Sequence, residues 1–223
     1  MINSRREFVC RALGSAAAAG VSGLIPGTAI RAQTALSPEA ALQQLIDGNR
    51  RFAEGRLNSF AEDLEILKSR TIDKQQPFAA VLSCADSRVP VELIFDQSIG
   101  EIFVTRVAGN IATSAIIASL EYGVAVLGTK AILVLGHANC GAVMASIEAK
   151  AVPGQISALY RYIRPAVDQA GSNLEAAIKA NATIQAGLLR QSSPVLADHI
   201  KANQLKIVAG YYDLSSGKVT LLD

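Results

Sequence analysis

Two short stretches hold the residues whose types and spacing offer chemistry: Cys84-Ala85-Asp86-Ser87-Arg88 and His137-Ala138-Asn139-Cys140-Gly141. Thiolate and imidazole are zinc ligands, and Cys84, His137 and Cys140 together supply three strong ones, leaving one position of a tetrahedron open. That is the layout of a catalytic zinc rather than a structural one. A Cys84–Cys140 disulfide is the competing reading. Metal ligation is preferred because His137 lies three residues before Cys140 and Asp86 two after Cys84.

Two thiolates offset the charge of zinc, so water bound to it is less acidic than at a three-histidine site. Such a site gains from an acceptor that holds the water and draws on its proton. Asp86 is the candidate, with Arg88 keeping it ionised and aimed through charge-assisted hydrogen bonds. The expected product is a zinc hydroxide near neutral pH, a nucleophile for a small electrophile. Two blander accounts stand beside this. Asp86 and Arg88 could form a plain surface ion pair, or Asp86 could be a fourth zinc ligand that closes the site. His199, the other histidine of the chain, has no cysteine beside it and reads as structural or solvated.

The elements that must position these residues can be read from the flanking patterns. Phe78 to Ser83 and Ala131 to Gly136 are apolar runs without polar alternation. They predict strands buried on both faces of a parallel sheet, with the candidate ligands at the carboxyl ends where such sheets bind. Extended backbone would put Cys84, Asp86 and Arg88 on one face, and Cys140 would open a helix whose N-terminus favours its thiolate. Ser37-Pro38-Glu39 reads as a helix start, with the helix running through Leu42, Leu45, Ile46 and Phe52 to Gly55. A helical stretch from Glu62 to Ser69, a strand over Ile102 to Val107 and an apolar helix from Ala112 to Leu127 follow. Pro153 to Asn203 reads as helical, punctuated at Pro165, Gly171 and Pro194. Leu205 to Tyr212 and Lys218 to Leu222 form strands around a hairpin-like connection, Asp213 to Gly217. Strands alternating with helices predict an α/β fold with a mostly parallel sheet.

The first 32 residues are expected to be a signal rather than part of the fold. Arg5-Arg6 precedes a soft Ala- and Gly-rich stretch from Ala12 to Ala29, as in a twin-arginine export signal cleaved near residues 29–32. Gly, Ser and Pro dilute that stretch too much for a stable membrane anchor. Cys10 would leave with it. The twin-arginine route carries folded cargo, so the thiolates could be loaded with zinc in the cytoplasm before reaching an oxidising periplasm. Of the 223 residues, 50% are hydrophobic and 18% charged, with a formal net charge of +2, which fits one domain from residue 36 to 223 with a sizeable core. The balanced charge and the lack of Trp argue against nucleic acid as a partner.

With these motifs in hand, the chain from about Ser37 onward resembles the β-class carbonic anhydrases. The resemblance rests on Cys84-x-Asp86-x-Arg88-Val89-Pro90 and His137-x-x-Cys140-Gly141. It extends to Gly48-Asn49-x-x-Phe52, Gly100-Glu101-x-Phe103-Val104-x-Arg106 and Glu121-Tyr122. It implies one zinc ion per chain on Cys84, His137 and Cys140, with Asp86 and Arg88 steering the bound water for reversible hydration of carbon dioxide to bicarbonate. It also implies four parallel strands extended by an antiparallel edge strand, and a homodimer or homotetramer with active sites at subunit contacts. Gln75, Phe103 and Tyr122 match positions that line the substrate pocket of a neighbouring subunit in plant-like members, and Gly141 is placed in that pocket too. Carbon disulfide or carbonyl sulfide hydrolases resemble the same family, and a non-catalytic periplasmic zinc protein is the remaining alternative. Some bacterial members switch off when Asp swings onto zinc, using a bicarbonate pocket with a Trp and an Arg. This chain has Val81 at the Trp position beside a matching Arg106, so an ungated site is expected.

Overall fold

The structure, a computed structural model, describes residues 34–59, 65, 68, 69 and 71–222. The expected signal, with Cys10, and most of the stretch from Glu62 to Ser69 lie outside the described residues.

Helix α1, Pro38–Ala53, starts as its sequence dictates. The Ser37 side chain accepts from the Ala40 N–H at 3.1 Å, Pro38 stands in the first turn, and Gly55 follows the end at φ 68°. The strands are β1 (Ala79–Ser83), β2 (Ile102–Arg106), β3 (Ala131–His137), β4 (Lys206–Tyr212) and β5 (Val219–Leu221). They run in the order β2-β1-β3-β4-β5, parallel throughout except for the antiparallel β4–β5 pair. Every residue of β1 and β3 is buried, which explains the missing polar alternation: these two central strands have helices on both faces.

On one face, Ala41, Leu42 and Leu45 of α1 and Ile94 of α2 (Val91–Ile94), with Phe95 beyond it, pack on Val81, Leu133 and Leu135. On the other, α3 (Ser114–Ala125), α6 (Leu174–Ser192) and α7 (Pro194–Lys201) cover Leu82, Ile132 and Val134. A smaller cluster of Ile111, Val143, Ile163 and Ile178 surrounds Cys84 and Cys140. It is built with α4 (Gly141–Glu148) and α5 (Tyr160–Ala170), the latter entered through a 3-10 turn at Ile156–Leu159. Among the described residues no helix is long and apolar enough to cross a membrane.

The helical stretch after Pro153 breaks at Gly171 and at Ser193, whose side chain caps α7. It does not break at Pro165, which lies inside α5. A proline there removes one backbone donor, while Ile163, Ala166 and Val167 on the buried face of α5 hold the helix through it.

The Gly48-Asn49 pair acts as a weld. A Cβ on Gly48 would fall 1.8 Å from the Phe95 carbonyl oxygen, so the chain can approach there only without a side chain. Asn49 donates Nδ2 to Ile94 O (3.2 Å) and Gly217 O (2.9 Å), and its Oδ1 accepts from Val219 N (2.8 Å). One side chain thereby ties α1 to the end of α2 and to the β4–β5 hairpin.

Candidate metal centre

Strands β1 and β3 are neighbours in register, with Ser83 opposite Leu135. Cys84 therefore leaves the sheet beside the last residues of β3, one of which is His137. The chain then turns through Ala138 and Asn139, the latter at φ 55°, and delivers Cys140 to the N-cap position of α4, just ahead of the helix rather than within its first turn. The three ligand atoms lie within 4.8 Å of one another, and all three residues are buried.

The two sulfurs are 4.0 Å apart and both cysteines are free. A disulfide would need about 2.05 Å, whereas two sulfurs on a tetrahedral zinc with bonds of about 2.3 Å stand roughly 3.8 Å apart. His137 is fully buried, and its Nδ1 lies 2.9 Å from the Ala138 carbonyl oxygen. A carbonyl can only accept, so Nδ1 carries the proton and Nε2 presents its lone pair. That Nε2 is buried with no hydrogen-bond partner. A bare imidazole lone pair facing two thiols is a donor set that fits zinc.

Electrostatics favour a cation here. The Cys84 thiol is pulled well below its ordinary value, chiefly by the hydrogen bond from Cys140 and also by the Gly109 N–H, against the opposing effect of burial. Cys140, as the partner that keeps the proton, is pushed up by Cys84 and by burial, while the N–H groups of Ala142 and Val143 at the start of α4 oppose that. A dication in place of the shared proton would hold both residues as thiolates.

Asp86 and Arg88 reach the site by a turn, not along extended backbone: the Val89 N–H donates to Asp86 O at 3.1 Å. Asp86 Oδ1 accepts from both the backbone N and the Nε of Arg88 at 2.9 Å, and Oδ2 accepts from Arg88 Nη2 at 2.8 Å. Arg88 Nη2 also donates to Asn139 O at 3.2 Å, linking the two motif stretches. The Arg88 guanidinium holds the Asp86 carboxyl well below the usual carboxylate range. Asp86 Oδ2 stands 4.0 Å from His137 Nε2. Arg106 brackets the same turn, donating Nε to Cys84 O (2.9 Å) and Nη2 to Asp86 O (2.6 Å). In the sequence, Arg106 closes the Gly100-Glu101-x-Phe103-Val104-x-Arg106 motif and matches the Arg of a bicarbonate pocket. This clamp on two main-chain carbonyls carries no sequence signal beyond Arg106 standing last in β2.

The four pocket candidates separate. Gly141 opens α4 beside Cys140, exposed. Gln75 stands well back along the chain from its own ligands. Phe78 already bonds into the sheet on both sides, and the six residues from Phe78 to Cys84 span about 20 Å. The three residues back to Gln75 recover at most about 10 Å of that. Phe103 pairs with Ala80, about 13 Å of strand before Cys84. Its ring lies 6.3 Å from that of Tyr122, which is 49% exposed. His199 sits on α7 near Thr129, Lys130 and Gln204, toward the amino ends of β3 and β4 and away from the ligands at the carboxyl ends.

A family model described as Carbonic anhydrase matches residues 79–219. Carbonic anhydrase 2 of Mycobacterium tuberculosis is 33% identical over 201 residues, covering 84% of this chain and 94% of that protein. A carbonic anhydrase of Mycolicibacterium smegmatis is 35% identical over 195 residues, covering 83% and 93%. In fold, the chain resembles a tetrameric beta-carbonic anhydrase of Sordaria macrospora with a TM-score of 0.66 at 21% identity, covering 81% of this chain and 96% of that one.

Proposed function

The chain belongs to the β-class carbonic anhydrase family, and from that premise we propose that it hydrates carbon dioxide reversibly to bicarbonate and a proton, using one zinc ion per chain. The observation that carries this reading is the buried, partnerless His137 Nε2 facing two free sulfurs 4.0 Å apart, with Asp86 already fixed on Arg88 beside it.

Bound zinc supplies Lewis acidity that makes water nucleophilic near neutral pH. Cys84, His137 and Cys140 hold the ion, and Ala138 O fixes the imidazole tautomer. Asp86, kept ionised by Arg88, accepts a hydrogen bond from the attacking water and orients it. Arg88 in turn is steadied by Asn139 O. Carbon dioxide is small and apolar, and its pocket takes Gly141 from the same chain. Gln75, Phe103 and Tyr122, which match the family's pocket positions, belong to the pocket of a second copy, in a homodimer or homotetramer. The paired Arg5-Arg6 directs the folded enzyme to the periplasm, leaving a mature domain that begins near residue 36.

Stopped-flow hydration of carbon dioxide by the zinc-loaded mature protein tests the activity. The expected outcome is rapid hydration that is lost, together with the zinc, in Cys140→Ala. Fully loaded protein that does not accelerate hydration overturns the proposal, and full zinc content in Cys140→Ala overturns the ligand set. For export, replacing Arg5 and Arg6 with Lys should leave an uncleaved precursor in the cytoplasmic fraction. Normal periplasmic appearance of that double variant defeats the signal.

A further inference from the structure

The segment from Val107 to Thr113 joins β2 to α3 and meets the metal centre through one backbone group. The Gly109 N–H donates to Cys84 Sγ at 3.3 Å. Gly109 sits at φ 77°, a conformation that strains any side chain, and a Cβ on it would come within 2.7 Å of Ile163 Cδ1 and push that side chain aside. Locally, the Asn110 N–H donates to Val107 O at 2.9 Å and closes a turn with Gly109 at its third position, where a positive φ favours glycine.

That turn is held from outside by α6. Its face toward the core is apolar, with Ala177, Ile178, Ala182, Ala186 and Leu189 buried, except for two primary amides, Asn181 and Gln185. They are 0% and 2% exposed, and amides so buried are costly unless bonded. Both bond to the loop or to its support. Asn181 Nδ2 donates to Gly109 O at 2.9 Å. Gln185 Oε1 accepts from Ala112 N at 2.8 Å, and its Nε2 donates to Tyr162 O (3.0 Å) and to Asn181 Oδ1 (3.2 Å). Gln185 thus fixes the end of the loop and orients Asn181, which fixes the residue whose N–H faces the sulfur.

We propose that Asn181, backed by Gln185, is a positioning residue that holds the Gly109 N–H on Cys84 Sγ and so sets how strongly that thiolate donates to the bound metal. This rests on Cys84 being a metal ligand. A hydrogen bond to a thiolate draws electron density away from the metal. Cys84 is thereby made a weaker donor than it would otherwise be, which offsets part of the charge two sulfurs place on the ion. Outer partners of this kind typically change metal affinity about 10–100-fold when removed.

The test has two arms. In wild-type protein loaded with cadmium-113, the Gly109 amide proton should show scalar coupling to cadmium through Cys84 Sγ; its absence overturns the proposal. In Asn181→Leu that coupling should vanish, and the sulfur-to-cobalt charge-transfer band of the cobalt form should move to longer wavelength. Gln185→Leu should move the band the same way by less. A lower melting temperature in Asn181→Leu with the band and coupling unchanged means that the amide only packs, and overturns the proposal. Should Asn181→Leu not fold, the wild-type coupling and Gln185→Leu decide. Zinc titration of the wild type separates the premise: protein that takes up no zinc fails as a Cys84 site before Asn181 is in question.

Discussion

Asp86 and Asp96 are ten residues apart, each carries an arginine, and each is held below its ordinary pKa. Their surroundings differ in what is left over. The Asp96 side chain is completely buried, on a residue at φ 46°. It accepts from Arg51 Nε (2.5 Å), from the backbone N of Asn58 and Ser59 (3.0 Å each), and from Ser59 Oγ (2.7 Å). Burial pushes its pKa up, but Arg51, Ser59 and the two N–H groups outweigh that. The result is a fastener that pins the segment after α1 to the end of α2. The Asp86 side chain is 18% exposed and has its arginine on one side only, and Oδ2 looks toward a histidine nitrogen with no partner. A carboxylate saturated by donors holds structure, whereas one anchored on a single side beside bare ligands is free to handle a proton.

Exchanging each aspartate for asparagine should separate the two roles. Asp86→Asn should keep its zinc and its melting temperature while hydration falls about 100- to 10,000-fold, the usual worth of a positioned proton acceptor. Asp96→Asn should hydrate at close to the wild-type rate at 25 °C. Stopped-flow rates normalised to zinc content decide, and a fully active Asp86→Asn breaks the comparison.

Stability should show the reverse order. Asp96→Asn leaves Arg51 and two backbone donors facing an amide, and should cost roughly 2–4 kcal/mol. That lowers the melting temperature by about 4–16 °C for a domain of this size. A shift within a degree of wild type, read by calorimetry, would remove Asp96 from the role of fastener.

The pH dependence follows with a definite sign. Asp96 has a folded pKa below the unfolded value of about 3.9, so between the two the unfolded state binds the extra proton. Its stabilising contribution is complete above about pH 4 and is lost as pH falls toward the depressed value. The gap between wild type and Asp96→Asn in urea unfolding should therefore be constant from pH 5 to 8 and narrow below pH 4. A gap that persists undiminished at pH 2 contradicts this.

The smallest effect concerns Asp86 itself, which should remain on Arg88 when zinc is loaded, just as Asp96 remains on Arg51. Zinc X-ray absorption or a crystal structure near pH 7 checks this. An Asp86 oxygen about 2 Å from zinc, with activity appearing only in alkali, would show a gate operating without Trp at position 81.

The sheet was legible because β1 and β3 lack alternation, and a strand covered on both faces cannot show any. The ligands were legible because a C-x-D-x-R stretch and an H-x-x-C stretch each followed such a run. Local geometry after Cys84 was misread, since strand periodicity does not announce the turn that Asp86 O and Oδ1 stabilise. The supports of the site were hidden for another reason. Asn181 lies 72 residues from Gly109, and Arg106 lies 22 from Cys84. Periodicity marks the face of a helix or strand but not what stands opposite it. Two amides four residues apart on the apolar face of α6 were the available signal, and they indicate burial without naming a partner.

The reach of the chain between Gln75 and Cys84 has a consequence in genetics. If the pocket is assembled from two copies, as proposed above, a chain lacking Cys84 still offers a sound Gln75, and a chain lacking Gln75 still offers sound ligands. Co-expressing the two defective alleles should yield mixed assemblies in which one pocket of each pair is whole, restoring function that neither allele supplies alone. A lesion in the sheet or at Gly48 admits no such rescue, because it travels with the chain that bears it.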